Sequence, residues 1–186
     1  DIRWCYYSGV PNVWKRHRPD LWRQYQHGNA FLLSRATQVA SPEGVPLLFT
    51  TKLLARDCMR GHACAIPFSL RASGKESGNY ALPGMEHDAE KITANLSLTT
   101  RTYLASPGLP DPDVDRATRE LIWYHALAIG YSPAYLAENA DGIRQDWPRI
   151  PLPQAKDLLL ASAALGRQVA ALLDTEAPVP GVTAGK

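Results

Sequence analysis

Cysteine is scarce in this sequence, and long hydrophobic runs are missing. The 186 residues include three cysteines, Cys5, Cys58 and Cys64. An odd number without a secretion signal argues against a disulfide framework and for a reducing compartment. No apolar stretch approaches the roughly 20 residues that span a bilayer. The chain opens at Asp1 without an initiator Met, so we expect it to be cut from a longer polypeptide. The cysteine count and the missing apolar run lead us to expect a cytoplasmic protein with no membrane partner.

Several sequence motifs of catalysis are also missing. There is no glycine-rich phosphate loop with Lys and Ser or Thr, no Gly-x-Gly-x-x-Gly after a strand, and no Gly-x-Ser-x-Gly elbow. The chain contains neither an Asn-Pro-Pro-Tyr type tetrapeptide for adenine methylation nor an Asp…Glu-x-Lys nuclease core. These absences exclude nucleotide hydrolysis and leave the chain without the motifs of adenine methylation or of nuclease cleavage.

Two short clusters leave a metal or catalytic role open. Cys58-x3-His62-x-Cys64 has a spacing that could ligate zinc, but it falls in or beside an apolar strand, where cysteine is commonly a small core residue. The triplet at 86–88, centred on His87, could serve acid–base chemistry, whereas polar triplets in loops are more often solvated tips. In both cases the structural interpretation is favoured.

The composition is that of a soluble globular protein, with 45% hydrophobic and 20% charged residues. Its net charge of +2 conceals an uneven distribution. Residues 1–75 carry 11 Lys/Arg against 4 Asp/Glu, whereas residues 76–186 carry 9 against 14. A basic half beside an acidic half indicates binding of a polyanion through one part of the chain.

The first half is predicted to be rich in β-structure. Aromatic and β-branched residues fill its apolar runs, and turn signals separate them. A short helix over 20–26 is indicated by Asp20 as its cap and by Leu21 and Tyr25 four residues apart, with Gly28 ending it. Strands are expected over 2–7, 30–39, 45–54 and 62–70, with a long loop over 71–88.

The second half changes to a helical period. Asp111 as N-cap and Pro112 at the first helical position predict a helix over 113–129, and Ser132-Pro133 repeats that signal for a short helix to Glu138. Three prolines hold 147–153 extended, and apolar residues at spacings of three and four predict a helix over 154–174. The fold class is therefore α+β: a β-rich part with long loops over 1–110, a helical subdomain of two to three helices over 111–175, and a disordered tail over 176–186.

Several segments resemble the target recognition domain of single-polypeptide restriction–modification enzymes, the Type I SP enzymes and their Type IIG relatives. The start of the chain, Asp-Ile-Arg-Trp-Cys-Tyr-Tyr followed by Arg18-Pro19, is similar to the beginning of that domain. Asn95-Leu96-Ser97 stands where the family carries an asparagine–leucine pair. The closing block of the family is matched by 124–127, by Ser132-Pro133-Ala134-Tyr135, by 146–153 (Asp-Trp-Pro-Arg-Ile-Pro-Leu-Pro) and by Leu165-Gly166-Arg167. The resemblance covers about 1–175 and is weakest in the middle.

The resemblance implies sequence-specific recognition of double-stranded DNA. It further implies that the chain serves an N6-adenine DNA methyltransferase, or a methyltransferase that is also an endonuclease, within a restriction–modification system. The implied partners are duplex DNA and the methyltransferase domain of the same polypeptide, on which the helical part would dock. The resemblance also implies that this chain is not itself an enzyme and holds no cofactor or metal. S-adenosylmethionine would belong to that methyltransferase domain, and methylation or cleavage to the longer polypeptide.

Candidate DNA contacts follow from the basic half. Lys and Arg supply DNA affinity by neutralising phosphates, while contacts to base edges specify sequence. Lys15, Arg16 and Arg18 are predicted phosphate contacts, and Arg56 and Arg60, which flank a predicted hairpin, are candidates for a forked contact to guanine. Weaker candidates, for which a solvated surface role is favoured, are His17, Lys52, Arg71, Lys75 and Asn79.

Two other function classes stay open. The chain could be a protein-interaction or docking module without DNA binding of its own, or a small enzyme that uses the loop over 71–90 with His87. Other prominent side chains are given structural roles: Arg3 in the first predicted strand, Arg149 between two prolines, and the aromatic residues Trp123, Tyr124, Tyr131 and Tyr135, which lie at helical spacing.

Overall fold

The structure of the protein is a computed structural model. It describes residues 19–25, 28–35, 44–54, 63–71, 91–174 and 178–181. The strand predicted over 2–7 and the loop residues after Arg71 as far as 88 lie outside these ranges. The elements are α1 (Pro19–Gln24), β1 (Phe31–Arg35), β2 (Leu47–Thr50), β3 (Ala63–Pro67), β4 (Ser69–Arg71), β5 (Ile92–Ala94), α2 (Leu98–Ala105), α3 (Arg116–Gly130), α4 (Pro133–Glu138), α5 (Ala140–Gln145) and α6 (Lys156–Leu173).

The central strand β1 is covered on both faces. It pairs antiparallel with β2 on one side and with β3 on the other. Because side chains alternate along a strand, Leu32 packs in the core below the helices, whereas Phe31 and Leu33 pack with Leu21 of α1 on the opposite face. The sheet is therefore a layer between α1 and the helices of the second half, which explains its almost uninterrupted apolar sequence.

The strand predicted over 62–70 is two strands that belong to different sheets. Its break is Phe68, a buried residue whose ring stacks on Trp123 at 5.6 Å between centroids. The Phe68 amide donates to Ala30, and its carbonyl oxygen accepts from Asn95. These bonds leave β3 with β1 and turn β4 towards β5, which pairs with it antiparallel. The Phe68 ring, anchored in the core, thus divides the apolar run over 62–70 into two strands. Strand β5 was not predicted, because it is too short to show a period.

Helix α3 begins later than its sequence signal. The predicted cap Asp111 instead closes a turn, in which its side chain accepts from the Asp113 amide and its carbonyl oxygen from the amides of Val114 and Asp115. Asp115 is the N-cap of the helix and accepts from the Thr118 amide and hydroxyl. The Thr118 bonds hold the pKa of Asp115 below its ordinary value. The predicted start was therefore wrong by one turn, because the Asp-Pro pair initiates the turn and not the helix.

Helices α3 and α6 form the core of the second half and run in the same direction. Leu121 and Leu159 share one buried cluster near the beginnings of the two helices, and Leu127 and Ala170 share another near their ends. The helices approach so closely at Gly166 that an added Cβ would lie 1.8 Å from the carbonyl oxygen of Tyr124. Glycine is therefore required at this position.

The proline-rich segment 147–153 crosses the helical subdomain in the extended form that was predicted. Three of its carbonyl oxygens, at alternate residues, accept hydrogen bonds from three helices. Tyr135 of α4 donates to Arg149 (3.0 Å), His125 of α3 to Pro151 (2.8 Å) and Tyr103 of α2 to Pro153 (2.5 Å). The structural role expected for Arg149 is thus carried by its main chain, since its guanidinium is 91% exposed.

The predicted fold class is confirmed: small sheets come first and helices follow, as in an α+β protein. The aromatic residues Trp123, Tyr124, Tyr131 and Tyr135 pack in or against the core, as expected. Helices α2 and α5 were not predicted. Ser97 caps α2 through the Thr100 amide, a signal present in the sequence, whereas α5 has no side-chain cap. The boundaries proposed near 110 and 175 stay predictions; residues 180 and 181 lie in a turn.

Candidate nucleic-acid interface

The structure describes two of the ten predicted DNA-contact residues, Lys52 and Arg71. The other eight lie outside the described residues and stay predictions: Lys15, Arg16, His17, Arg18, Arg56, Arg60, Lys75 and Asn79. The same is true of Arg3 and of the acid–base triplet around His87. What can be built from the structure is the surface on which Lys52 and Arg71 stand.

Lys52 and Arg71 belong to the same end of the three-stranded sheet. Phe31, the first residue of β1, pairs with Thr50 at the end of β2 and with Pro67 at the end of β3. Lys52 follows β2 in a turn in which its amide donates to the Thr50 hydroxyl at 3.0 Å, and its side chain is exposed. Arg71 ends β4, which continues from β3, and it is half-buried. The strand pairing therefore places Lys52 and Arg71 at one end of the sheet, although they are far apart in the sequence.

A buried polar cluster fixes α1 at this same end. The Gln24 side chain accepts a hydrogen bond from the Arg71 amide at 2.6 Å. The Asn29 amide group donates to the carbonyl oxygens of Gln24 (2.8 Å) and Ser69 (3.1 Å), while its side-chain oxygen accepts from the amides of Ser69 and Ala30. Gln24 and Asn29 are 2% and 6% exposed. Such a satisfied, buried network holds one unique geometry, so α1 has a fixed position beside Arg71.

Helix α1 ends earlier, and faces differently, than its sequence pattern predicted. Leu21 is buried in the core, but Tyr25 lies just beyond the helix and is 41% exposed, although the two were expected to share one face. Trp22 is 59% exposed and meets Tyr25 edge-on, with 6.2 Å between ring centroids. Arg23 in the last turn is also exposed. We call Trp22, Arg23 and Tyr25 the α1 face; its aromatic pair was missed because Tyr25 was assigned to the face of Leu21.

Four arginines of α2, α3 and α6 are engaged in structural contacts. Arg101 pairs with Asp113 at 2.9 Å, which holds the pKa of Asp113 below its ordinary value. Arg119 donates to the carbonyl oxygens of Pro112 and Asp113, and Arg116 donates to Glu120 and to the carbonyl oxygen of Gly28. Arg167 lies over the Tyr124 ring at 5.0 Å. These arginines of the acidic half therefore stabilise the fold. Arg116 also connects α3 with the loop after α1.

Cys64 bears on the zinc ligands that the sequence suggested. It is buried and disulfide-bonded. The expectation of a reducing compartment without a disulfide framework stays a prediction, because an odd number of cysteines excludes complete pairing but not a single disulfide. A disulfide sulfur is not a thiolate and does not ligate zinc. Across the described ranges, no three His, Cys, Asp or Glu side chains are grouped so as to hold a metal ion.

The comparisons with known proteins agree with this architecture. The model of the Type ISP C-terminal specificity domain matches residues 1–182. The chain belongs to this family. The expected resemblance is thereby confirmed, and the matched domain is one for specificity and not for catalysis. Among curated proteins none matches this chain.

A solved structure shows the same fold. The chain is similar to part of the cryo-EM structure of a DrdV–DNA complex, with a TM-score of 0.56 and 22% sequence identity over 82% of this chain. The match spans only 12% of the DrdV chain. In the part of the chain that the structure describes, no helix has the length and apolar character needed to cross a membrane.

Proposed function

We propose that this specificity domain recognises a defined sequence in duplex DNA on behalf of an N6-adenine DNA methyltransferase, or a methyltransferase that is also an endonuclease, in a restriction–modification system. The observation that carries the proposal is the match of the specificity-domain family over residues 1–182. The location of Lys52 and Arg71 at one end of the sheet, beside the fixed helix α1, supports a single binding surface in the basic half.

The β-rich half of this chain and the methyltransferase part of the polypeptide have different roles. The β-rich half contacts phosphates and reads base edges in the major groove, which sets affinity and register. The methyltransferase part of the polypeptide flips an adenine out of the stack, at a cost of a few kcal/mol, and methylates N6 with S-adenosylmethionine. This chain holds no cofactor and does not methylate DNA alone. We propose a cytoplasmic location, because the DNA that the domain would recognise lies there.

The helical half is suited to docking against that methyltransferase part. Leu158, Leu165 and Leu172 recur every seven residues on one side of α6 and are 61%, 58% and 52% exposed. From residue 158 to residue 173, Arg167 is the sole charged residue. An apolar solvent-facing side of a helix is typical of a surface that another part of the assembled protein covers. In the full polypeptide, Leu165→Glu should accelerate proteolytic release of this domain, whereas Leu160→Glu, on another side of α6, should not.

The DNA function is tested with this chain and a pool of random duplexes. Binding is followed by fluorescence anisotropy over a salt titration, and the bound fraction is sequenced. A steep salt dependence with an enriched short motif is the expected result. Salt-sensitive binding without enrichment would mean that specificity needs the methyltransferase part. No binding at low salt would overturn the proposal and favour a docking module without DNA binding of its own.

A further inference from the structure

The α1 face exposes two large rings that the fold holds rigidly. Trp22 and Tyr25 are 59% and 41% exposed, while Leu21 and Gln24 of the same helix are buried. The buried bonds of Gln24 and Asn29 to β4 fix the backbone beneath the rings. Clustered exposed aromatic residues on a rigid backbone are typical of binding surfaces, because they offer a large contact area at a low cost in side-chain entropy.

The charge of this surface favours a polyanion as its occupant. Arg23 stands between the two aromatic residues in sequence and is exposed, and the Arg71 amide adjoins the Gln24 side chain. Residues 21–25 include no acidic residue. A protein partner held by the two aromatic rings alone would not require a cation between them. Duplex DNA requires it, since phosphate neutralisation supplies much of its affinity.

The two rings form one packed pair on the surface. The planes of Trp22 and Tyr25 meet at 89° in an edge-on contact, and both rings keep exposed surface. We propose that the α1 face is a contact surface for duplex DNA, in which the two rings pack against the deoxyribose edge of the backbone and Arg23 pairs with a phosphate. This inference rests on the DNA-recognition function proposed above and adds contact residues to it.

Single substitutions separate the aromatic contribution from the ionic one. Trp22→Ala and Tyr25→Ala are each expected to weaken duplex binding by about fivefold to tenfold without changing the salt slope, because they remove apolar contact and no charge. Arg23→Ala should lower the salt slope by about 0.9, the value for one phosphate contact. Trp22→Phe keeps a ring and should recover most of the affinity lost in Trp22→Ala.

Matched controls use exposed residues of α2 and of the proline-rich segment 147–153. Leu98 is 80% exposed and the Arg149 side chain 91% exposed, so Leu98→Ala and Arg149→Ala should leave affinity and salt slope unchanged. Thermal melting of every variant reports on folding, and Trp22→Ala should melt like the wild type because its ring is mostly outside the core.

The outcomes distinguish this inference from the proposed function. If the wild-type chain binds duplex DNA but Trp22→Ala, Tyr25→Ala and Arg23→Ala bind equally well, the α1 face is not a DNA contact while DNA recognition stands. If affinity falls only in proportion to a lowered melting temperature, the rings are structural and the inference is overturned. If the wild-type chain binds no duplex at low salt, both the proposed function and this inference fail.

Discussion

The His125 ring donates a hydrogen bond to the carbonyl oxygen of Pro151 over 2.8 Å and thereby joins the middle of α3 to the proline-rich segment 147–153. Because a carbonyl oxygen only accepts, Nε2 carries the proton. Burial is the main cause that lowers the pKa of His125 from its ordinary value of 6.5, outweighing the bond to Pro151, which raises it. In the neutral ring Nδ1 is an acceptor and lies 2.6 Å from the Ser162 hydroxyl oxygen, which is also 3.0 Å from the carbonyl oxygen of Leu159. The one hydroxyl proton of Ser162 is therefore directed to one of these two acceptors at a time.

The domain is expected to lose stability as the pH falls below about 6.5. The pKa of His125 is lower in the folded state than in the unfolded chain. Between these two pKa values the unfolded chain therefore binds more protons than the folded protein, and the free energy of unfolding rises with pH. Its contribution is complete above pH 6.5 and is lost on acidification. Urea unfolding at pH 7.5, 6.5 and 5.5 measures this dependence. His125→Asn should be less stable at pH 7.5 and should have a flatter profile; an unchanged profile would show that His125 does not control it.

Gly166→Ala should destabilise the helical subdomain strongly. The new methyl group would lie 1.8 Å from the Tyr124 carbonyl oxygen, so α6 must move away from α3. Overpacking of a well-packed contact costs about 1–3 kcal/mol and occasionally more. Gly142→Ala is the control: no atom lies within 4 Å of its added Cβ, and the helical gain should stabilise the protein by about 0.5–1 kcal/mol. Thermal unfolding of both variants checks the prediction, which would be wrong if both were stabilised.

Asp115→Ala should destabilise the protein, because it removes the N-cap of α3. Asp115 accepts from the Thr118 amide and hydroxyl at 2.7 and 2.6 Å, which no alanine can replace. Asp111→Ala removes a bond within the preceding turn only and is expected to cost less. Chemical denaturation of the two variants compares these losses. A larger loss at Asp111 would contradict the assignment of Asp115 as the cap.

The predicted phosphate contacts are tested by charge removal. The double change Arg16→Ala and Arg18→Ala should weaken binding to all duplexes alike and lower the salt slope by about 1.8, because each phosphate contact contributes about 0.9. Lys52→Ala, at the end of the sheet that carries α1, should lower it by about 0.9. An unchanged slope in the double variant would refute the assignment of Arg16 and Arg18 as phosphate contacts.

The sequence by itself determined that a β-rich part precedes a helical part, and it determined much of the helical subdomain. The Ser132 cap, the extended prolines and the long apolar period of α6 are local signals, set by propensity and by the spacing of neighbouring residues. The family resemblance was also visible in the sequence, since its motifs are contiguous. Even here local signals had limits, because the Asp111-Pro112 pair formed a turn ahead of the helix it was expected to start.

Only the tertiary structure decided which distant residues meet. The division of β3 from β4 depends on Phe68 reaching Trp123, and the candidate interface depends on strand register that places Lys52 and Arg71 at one end of the sheet. The exposure of Tyr25 follows from Gln24, which is held inward by a residue 47 positions away. Such contacts depend on which residues burial and hydrogen bonding bring together, and sequence spacing carries no information about them.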